Sequence, residues 1–233
     1  MAAPDDPYFD GYADRYRELH RDSVRGSGEE PDYFAAYKID WIARTLGARG
    51  AEAALRILDF GCGIGASIPH LQRSFPAASI TGVDVSGRSI ELAREAHPAV
   101  RFELIEGTRI PLADDTVDLA FAACVYHHLD PRERGAWTAE LRRVLRPGGL
   151  LFVFEHNPLN PLTRRVVRDC PFDEDAVLLP RRESLRLLRE AGFDDAGVDY
   201  IVFFPAALAR LRPLEPWLAA LPLGAQYVAH GVA

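Results

Sequence analysis

The stretch Leu55-Arg56-Ile57-Leu58-Asp59-Phe60-Gly61-Cys62-Gly63-Ile64-Gly65 decides the fold of this chain. Its apolar first half predicts a buried strand over Leu55 to Asp59, and its three glycines predict a tight turn. Ser67 to Phe75 then predicts a helix with Pro69 in its first turn. A strand that enters a helix through such a turn points backbone N–H groups at a ligand. We therefore expect a nucleotide-binding loop here.

Short apolar runs alternate with segments of helical period along most of the chain, which is typical of a parallel sheet with helices on both faces. No internal repeat interrupts this alternation. Further strands are predicted at Ser79 to Asp84, Val100 to Ile105, Val117 to Ala123, Leu150 to Glu155, Val198 to Phe204 and Gln226 to Val232. Further helices are predicted at Ser89 to His97, Trp137 to Leu145 and Arg181 to Ala191.

The composition fits a single domain that acts on something other than nucleic acid. With 233 residues, 48% of them hydrophobic, the chain can bury a large core. Its formal charge of -7 gives no overall attraction for a phosphate backbone. The three cysteines have no paired spacing, and neither a metal motif, a secretion signal nor a membrane span is recognisable. We expect a cytoplasmic protein that is a monomer or a homodimer. Its expected ligand is a small molecule, and no metal ion is predicted.

The N-terminal part of the sequence predicts a helical lid over residues 1–50, ahead of a sheet domain at 51–233. Tyr8, Tyr12 and Tyr16 recur at four-residue spacing, which places them on one helix face. Packing against the core explains such a face as well as ligand contact does. Where these side chains touch ligand, we expect Tyr8 and Tyr12 beside the substrate and Tyr16 beside the cofactor.

Two segments rich in proline and arginine fit neither the strand nor the helix pattern and are predicted to be cap insertions, near 157–179 and 205–223. Arg164 and Arg165 of the first insertion are candidates for gripping an anionic group of the substrate, although a solvated arginine face is the commoner arrangement. The second insertion is apolar without being strongly basic, so we expect it to roof the active site rather than bind a membrane.

Two further motifs sharpen the meaning of the glycine-rich turn. Asp84 ends the second predicted strand within Gly82-Val83-Asp84-Val85-Ser86, where a carboxylate can accept both hydroxyls of a ribose. Pro147-Gly148-Gly149 precedes the fifth strand. A dinucleotide fingerprint needs its third glycine one residue later than Gly65, so the spacing disfavours a pyrophosphate clamp.

In this order, Ile57 to Gly65, Gly82 to Ser86, Asp118 to Leu129 and Leu145 to Glu155 resemble the motif series of class I S-adenosylmethionine-dependent methyltransferases. The resemblance implies a Rossmann-like α/β fold with a seven-stranded, mostly parallel sheet whose last strand is antiparallel. It also implies S-adenosylmethionine as cofactor. The residues that inherit contacts to it are Asp59, Gly61, Cys62, Gly63, Gly65, Asp84, Val85, Glu106, Gly107, Thr108 and Cys124. Glu106 stands where the family usually has aspartate.

The acceptor is expected over the carboxyl ends of the fourth and fifth strands, where open α/β sheets bind ligands. Tyr126 is predicted to contact the acceptor there. Methyl transfer to a protonated nucleophile needs a base, and the candidates are His127, His128, Glu155 and His156. Each of these has a plainer explanation, because such histidines also pack and such a carboxylate also caps a loop.

The resulting hypothesis is methyl transfer to a small-molecule acceptor, in specialised-metabolite or sugar biosynthesis. Oxygen, nitrogen and carbon acceptor atoms all stay open. The alternatives are a nicotinamide-dependent oxidoreductase, which shares the fold outline, and a methyltransferase-like domain that binds the cofactor without turnover.

Overall fold

The structure is a computed structural model that describes residues 7–52 and 54–233, and the side chains of residues 9–47 and 54–233. Its helices are α1 (Pro7–Ala13), α2 (Tyr16–Val24), α3 (Pro31–Glu52), α4 (Ile68–Ser74), α5 (Gly87–Ala96), α6 (Arg134–Val144), α7 (Pro161–Arg168), α8 (Arg181–Glu190) and α9 (Glu215–Leu218). Its strands are β1 (Arg56–Phe60), β2 (Ser79–Asp84), β3 (Arg101–Leu104), β4 (Val117–Ala123), β5 (Leu145–His156), β6 (Asp194–Ile201) and β7 (Gln226–Val232).

In the described part of the chain the strands form one seven-stranded sheet in the order β3-β2-β1-β4-β5-β7-β6. The strand β7 is antiparallel to both of its neighbours, and the other pairs are parallel. The predicted fold class is therefore confirmed. Strand order reverses beside β1, so the carboxyl ends of β1 and β4 border the crevice in which such sheets bind ligands.

The two faces of the sheet carry separate cores, as the strict alternation of side chains in β1 shows. Ile57 faces one core with Ile39 of α3 and Leu71 of α4. Leu58 faces the other with Leu141 of α6. All of these side chains are fully or almost fully buried. The sheet is thus covered on both sides, which explains why its parallel strands read as continuous apolar runs.

The predicted strand at Val198 to Phe204 starts four residues and ends three residues too late, since β6 begins at Asp194 and ends at Ile201. Its first residues are charged and exposed because β6 is an edge strand, so they lack the apolar pattern that the prediction used. The strand stops where Val202 takes a positive φ of 59°. The turn at Arg146 to Gly149 lies inside β5 instead of ahead of it.

The predicted aromatic face of the lid is divided between two helices, because the chain turns between α1 and α2 at Asp14 and Arg15. A third helix, α3, follows the 3₁₀ turn at Arg25–Ser27 and packs against α4. Among the described residues, no helix is both long enough and apolar enough to cross a membrane.

Candidate active site

A large cavity, of about 2160 Å³, opens at the carboxyl ends of the strands. Its floor includes the glycine-rich turn, and α1, α2 and α3 contribute to its other walls. Pockets for one small ligand usually hold roughly 300–1,000 Å³. The cavity therefore has room for a cofactor and a second molecule at once.

The glycine-rich turn brings backbone directly to the cavity. Gly61 and Gly63 have positive φ values of 72° and 51°, which glycine adopts without strain. A Cβ on Gly61 would lie 2.5 Å from a methyl group of Val125, so this position is closed to any larger residue. A Cβ on Gly63 would meet nothing within 4 Å, because this face of the turn borders open space. A ligand can therefore approach the backbone at Gly63.

A buried carboxyl group, that of Asp59, and a half-buried one, that of Asp84, lie beside this turn. Asp84 accepts hydrogen bonds from the backbone N–H groups of Gly63, at 2.7 Å, and of Ser86, at 2.9 Å. Burial raises the pKa of Asp84 despite these bonds. Asp59 is 2% exposed, and its Oδ2 has no hydrogen-bond partner. Burial and the nearby Asp84 charge raise the pKa of Asp59 to about 8.

An unpartnered buried carboxylate oxygen is costly, so the site is suited to a ligand that brings a cation to Asp59. The amino group of the methionine part of S-adenosylmethionine supplies such a cation, and its ribose supplies hydroxyl donors for Asp84. The open space over Gly63 can accept the same ligand. The residues present thus fit the predicted cofactor.

The other end of the cavity carries a cluster of histidines and carboxylates. Cys124, whose φ is 61°, follows the end of β4 and leads into a 3₁₀ turn at Tyr126–His128. His127 Nδ1 lies 2.7 Å from Glu155 Oε2, and its Nε2 lies 3.5 Å from Asp173 Oδ1. The same Asp173 oxygen is 3.3 Å from His128 Nε2. The rings of His127 and His156 lie 5.0 Å apart.

Charge is unevenly distributed in this cluster. Burial lowers the pKa of His127, but the carboxylates of Glu155 and Asp173 outweigh burial and raise it to about 10. Burial and the adjacent His127 charge lower the pKa of His156 to about 4. Burial also lowers the pKa of His128. The His127 ring is therefore enclosed by two carboxylates, and the rings of His128 and His156 lie beside it.

The predicted site residues are mostly brought together around the cavity. The predicted lining residues found there are Tyr12, Tyr16, Asp59, Gly61, Cys62, Gly63, Gly65, Asp84, Val85, Gly107, Thr108, Cys124, His127, His128, His156 and Arg165. The side chain of Tyr8 lies outside the described residues. Arg165 is largely exposed and is paired with Asp169.

Four predicted residues do not line this cavity. Tyr126 is buried toward α6, where its hydroxyl lies 3.1 Å from Thr138 Oγ1, because the 3₁₀ turn directs it away from the cavity. Glu155 is fully buried behind His127 and acts on the site only through that ring. Arg164 and Glu106 point to solvent, and Ile105 lines the wall beside Glu106 instead. The direct-contact predictions for Tyr126, Glu155 and Arg164 are therefore corrected.

The predicted roof at 205–223 is also wrong for most of that segment. Only its first residue, Pro205, is among the described residues that line the cavity, together with the preceding Val202, Phe203 and Phe204. Most of the large apolar side chains farther along are exposed, including Trp217 at 79%. The prolines keep this segment in 3₁₀ turns and one short helix that run along the surface.

The lining residues that the sequence analysis did not single out include Lys38, Phe172, Asp173 and Gln226. Lys38, the single lysine of the chain, is 7% exposed. Gln226 Oε1 is buried without a hydrogen-bond partner, and its Nε2 lies 3.7 Å from Cys124 Sγ. The ring of Phe172 packs against Tyr12, Tyr16 and His20, which connects the 3₁₀ turn at Pro171–Asp173 to α1 and α2. No local pattern marks these residues, because the fold brings them to the site from distant parts of the chain.

Helix α1 is attached to the protein close to Asp84. Asp10 Oδ1 of α1 accepts hydrogen bonds from Ser86 Oγ, at 2.5 Å, and from the backbone N–H of Arg88, at 3.1 Å. Ser86 is the N-cap of α5 and lies two residues after Asp84. The Asp10 carboxylate thus sits at a helix N-terminus, where the backbone dipoles favour negative charge.

We expect Asp10→Ala to weaken binding of S-adenosylhomocysteine by about tenfold, since α1 loses a charged hydrogen-bond acceptor next to the cofactor site. Titration calorimetry measures this change. Glu18→Ala, on the exposed face of α2, is the matched control and should leave the affinity unchanged. Equal affinities for the two variants would show that the Asp10 contact does not support the cofactor site.

Comparison with known proteins agrees with this geometry. A family model described as a methyltransferase domain matches residues 57–149. A malonyl-[acyl-carrier protein] O-methyltransferase of Pectobacterium atrosepticum is 33% identical over 221 residues, which cover 88% of this chain and 73% of that protein. A fatty-acid O-methyltransferase of Mycolicibacterium smegmatis is 31% identical over 146 residues, and the match spans about half of that relative, 52%.

The fold itself has a close counterpart among solved structures. An S-adenosylmethionine-dependent methyltransferase of Thermotoga maritima, described as a possible histamine N-methyltransferase, superposes with a TM-score of 0.67. The match covers 97% of this chain and 98% of that one at 21% identity, and so it bears on the fold alone. Together with the sequence matches, these findings set aside a nicotinamide-dependent oxidoreductase. The chain belongs to the class I S-adenosylmethionine-dependent methyltransferases, and its cofactor is S-adenosylmethionine.

Proposed function

We propose that this methyltransferase transfers the methyl group to an oxygen atom of a small, acidic, largely apolar molecule. The observation that carries the proposal is the cavity, which runs from the glycine-rich turn to a polar end containing the buried Lys38. Phe172, Phe203 and Phe204 line the same space. An acid with an apolar body suits aromatic walls beside the buried ammonium group of Lys38.

The cofactor half of the cavity is proposed to work through backbone and two carboxylates. Asp59 would pair with the ammonium of the methionine part, and Asp84 would accept the ribose hydroxyls. The further residues proposed to contact the cofactor are Tyr16, Gly61, Cys62, Gly63, Gly65, Val85, Gly107, Thr108 and Cys124. Glu106 is exposed and is therefore a weaker candidate for a contact to the adenine.

When bound, S-adenosylmethionine supplies a methyl group on a sulfonium that a lone pair of the acceptor can displace in line. The chain's own contribution is to bind, orient and exclude water. Lys38 attracts a carboxylate, and the unpartnered Gln226 amide can hold a polar group near it. His156, neutral and facing the cavity, can accept a hydrogen bond from the acceptor, while Glu155 positions His127. A carboxylate acceptor needs no base, because it has already lost its proton and its oxygen can take the methyl group directly.

The relatives support an acidic acceptor. Besides the two O-methyltransferases already described, a trans-aconitate 2-methyltransferase of Variovorax paradoxus is 32% identical over 146 residues. Malonyl thioesters, fatty acids and trans-aconitate all carry carboxyl groups. A role in specialised-metabolite or sugar biosynthesis stays a prediction.

Transfer of labelled methyl groups to fatty acids, trans-aconitate and a malonyl thioester tests the proposal, with the corresponding amides and alcohols as controls. We expect Lys38→Met to raise KM for an acidic acceptor at least about tenfold, because a buried charge pair is lost. Lys38→Arg, which keeps the charge, should lose less. Both variants should bind S-adenosylhomocysteine normally.

Two results would contradict this proposal. One is methylation of the neutral controls but of none of the acids. The other is an acidic acceptor whose KM does not change in Lys38→Met. If the protein binds the cofactor normally but methylates none of the acceptors, the result would instead favour a methyltransferase-like domain that binds the cofactor without turnover.

We also propose the division into a lid at 1–50 and a catalytic domain at 51–233, in which Tyr12 and Arg165 contact the acceptor from the lid and the first insertion. A cytoplasmic location is proposed on the basis of three cysteines that remain free, as is usual in a reducing compartment.

A further inference from the structure

Three side chains at the acceptor end of the cavity direct their ligating atoms at one another. His127 and His128 both face the same oxygen, Asp173 Oδ1, with their Nε2 atoms. The three ligating atoms lie within 4.8 Å of one another. All three residues line the cavity, and His127 and Asp173 are almost completely buried.

The separations are long for hydrogen bonds and suitable for metal coordination. His127 Nε2 and His128 Nε2 lie 3.5 Å and 3.3 Å from the Asp173 oxygen. Hydrogen bonds between nitrogen and oxygen usually span about 2.7–3.2 Å. Ligands at about 2.0–2.1 Å from a tetrahedral metal ion are separated by about 3.4 Å from one another. The two distances therefore match the edges of a coordination tetrahedron.

The groups behind these ligands are also those of a metal site. His127 Nδ1 lies 2.7 Å from Glu155 Oε2, so Nε2, which faces Asp173, is the atom that would ligate a metal. Carboxylate, histidine and metal in this sequence are a recurring arrangement that fixes the tautomer and the ring orientation. The ring of Phe9 packs edge-on against His128, at 5.0 Å between centroids, and restrains the second ligand.

We propose that His127, His128 and Asp173 bind one divalent first-row transition-metal ion at the acceptor end of the cavity. Two imidazoles and one carboxylate suit Zn²⁺, Co²⁺, Mn²⁺ or Fe²⁺, whereas Mg²⁺ prefers oxygen ligands. Three protein ligands leave at least one coordination position open, as in catalytic sites. Because all three residues line the cavity, an ion held by them could take an oxygen atom of the acceptor.

This role of the metal rests on the proposed function, because the oxygen it takes is that of the methyl acceptor. A metal-bound hydroxyl or carboxylate oxygen would be held at a fixed place in the cavity. The sequence did not indicate this site: the histidines are adjacent, and Asp173 comes from the first insertion.

Metal binding can be measured without any methyl transfer. Untagged protein, stripped with a chelator and dialysed, is titrated with Co²⁺ and Zn²⁺, with Mg²⁺ as the negative control. We expect one Co²⁺ per chain with visible d–d absorption, and displacement of Co²⁺ by Zn²⁺. His128→Ala and Asp173→Asn should reduce the affinity at least about 100-fold. His20→Asn, which alters another histidine of the cavity wall, should keep it.

Failure of the wild-type protein to hold stoichiometric Co²⁺ or Zn²⁺ would overturn the proposal. So would unchanged affinity in both His128→Ala and Asp173→Asn, provided that each variant binds S-adenosylhomocysteine and is therefore folded. Either failure leaves the assay with acidic acceptors unaffected, so the two proposals can fail separately.

The role of the metal needs a second readout. We expect the stripped enzyme to show a KM for its acceptor at least about tenfold higher, with an unchanged Kd for S-adenosylhomocysteine. Added Zn²⁺ or Co²⁺ should restore the original KM. A KM that is insensitive to stripping would overturn the assignment of the acceptor oxygen as a metal ligand.

Discussion

Replacing Asp59 by asparagine is expected to weaken binding of S-adenosylhomocysteine by about 100-fold or more while making the cofactor-free protein more stable. Asp59 Oδ2 is buried without a hydrogen-bond partner, which makes it the natural acceptor for the ligand's ammonium. Loss of a buried, charge-assisted hydrogen bond costs about 2–4 kcal/mol, and each 1.4 kcal/mol corresponds to about tenfold in Kd. Titration calorimetry on the wild-type protein and the variant measures this loss.

The gain in stability follows from the pKa of the same group. Asp59 has a pKa of about 8 in the folded protein, above its ordinary value of 3.8. The folded state therefore holds the proton more tightly, and its stability declines as pH rises from about 4 towards 8. At pH 7 the decline is on the order of 4 kcal/mol, and asparagine, which does not ionise, avoids it. Urea unfolding at pH 5 and pH 8 should show the advantage of Asp59→Asn growing with pH.

Cofactor binding should also release a proton. At pH 6 both the ligand's amino group and Asp59 are protonated, and pairing with the ammonium requires the carboxylate form. Calorimetry in two buffers of different ionisation enthalpy should report the release of about one proton by the wild-type protein and none by Asp59→Asn. An equal proton count in the two proteins would contradict the pairing.

Asp118 provides a control of opposite sign at the other end of the sheet. Burial raises its pKa, but hydrogen bonds from Arg56 and Arg146 prevail and lower it to about 2. Asp118→Asn should therefore reduce stability at neutral pH, and the difference should disappear as pH falls through the folded pKa. Cofactor affinity should not change, since Asp118 is outside the cavity lining.

The sequence predicted those site residues that a local motif marks. It could not predict residues that reach the site only through contacts between distant parts of the chain. Asp59 and Asp84 lie at the carboxyl ends of two parallel strands that pair with each other, so a local pattern is enough to predict that they are close. Lys38 and Gln226 reach the cavity from a lid helix and from the last strand, and nothing in their neighbours shows it. Asp173 follows a proline-rich stretch without periodicity, so only the folded insertion places it against the histidines.

The prediction that Tyr126 contacts the acceptor was wrong for a related reason. Strand periodicity predicts which face a side chain takes, but β4 ends at Ala123, and Cys124 has a positive φ. The 3₁₀ turn that follows does not continue the alternation of the strand. Its side chains therefore point in other directions than they would in an extended chain. As a result Tyr126 packs in the core, and the next two residues, His127 and His128, line the cavity.

Replacing Arg134 by methionine should reduce the free energy of unfolding by about 3–5 kcal/mol, the range found when one partner of a buried ion pair is removed. Arg134 is 1% exposed and donates to the Tyr126 carbonyl at 3.0 Å, the Glu183 carboxylate at 2.8 Å and the Val177 carbonyl at 2.6 Å. Methionine fills much of the same volume, so the loss reflects these three acceptors more than a void. Urea unfolding followed by circular dichroism measures the loss.

The same side chain should matter to the site, because it joins the turn that carries the histidines to the first insertion. Val177 also donates its backbone N–H to the His127 carbonyl at 2.8 Å, so Arg134 closes a second contact at the same place. Without Arg134, the segment that ends in Val177 and begins near Asp173 is less firmly held against His127. In conditions where Arg134→Met is still folded, we expect a higher acceptor KM and an unchanged Kd for S-adenosylhomocysteine.

Arg186→Met, in an exposed pair with Glu190, is the control and should alter stability by no more than about 0.5 kcal/mol. Equal stability losses in the two variants would show that the buried network of Arg134 does not stabilise the fold.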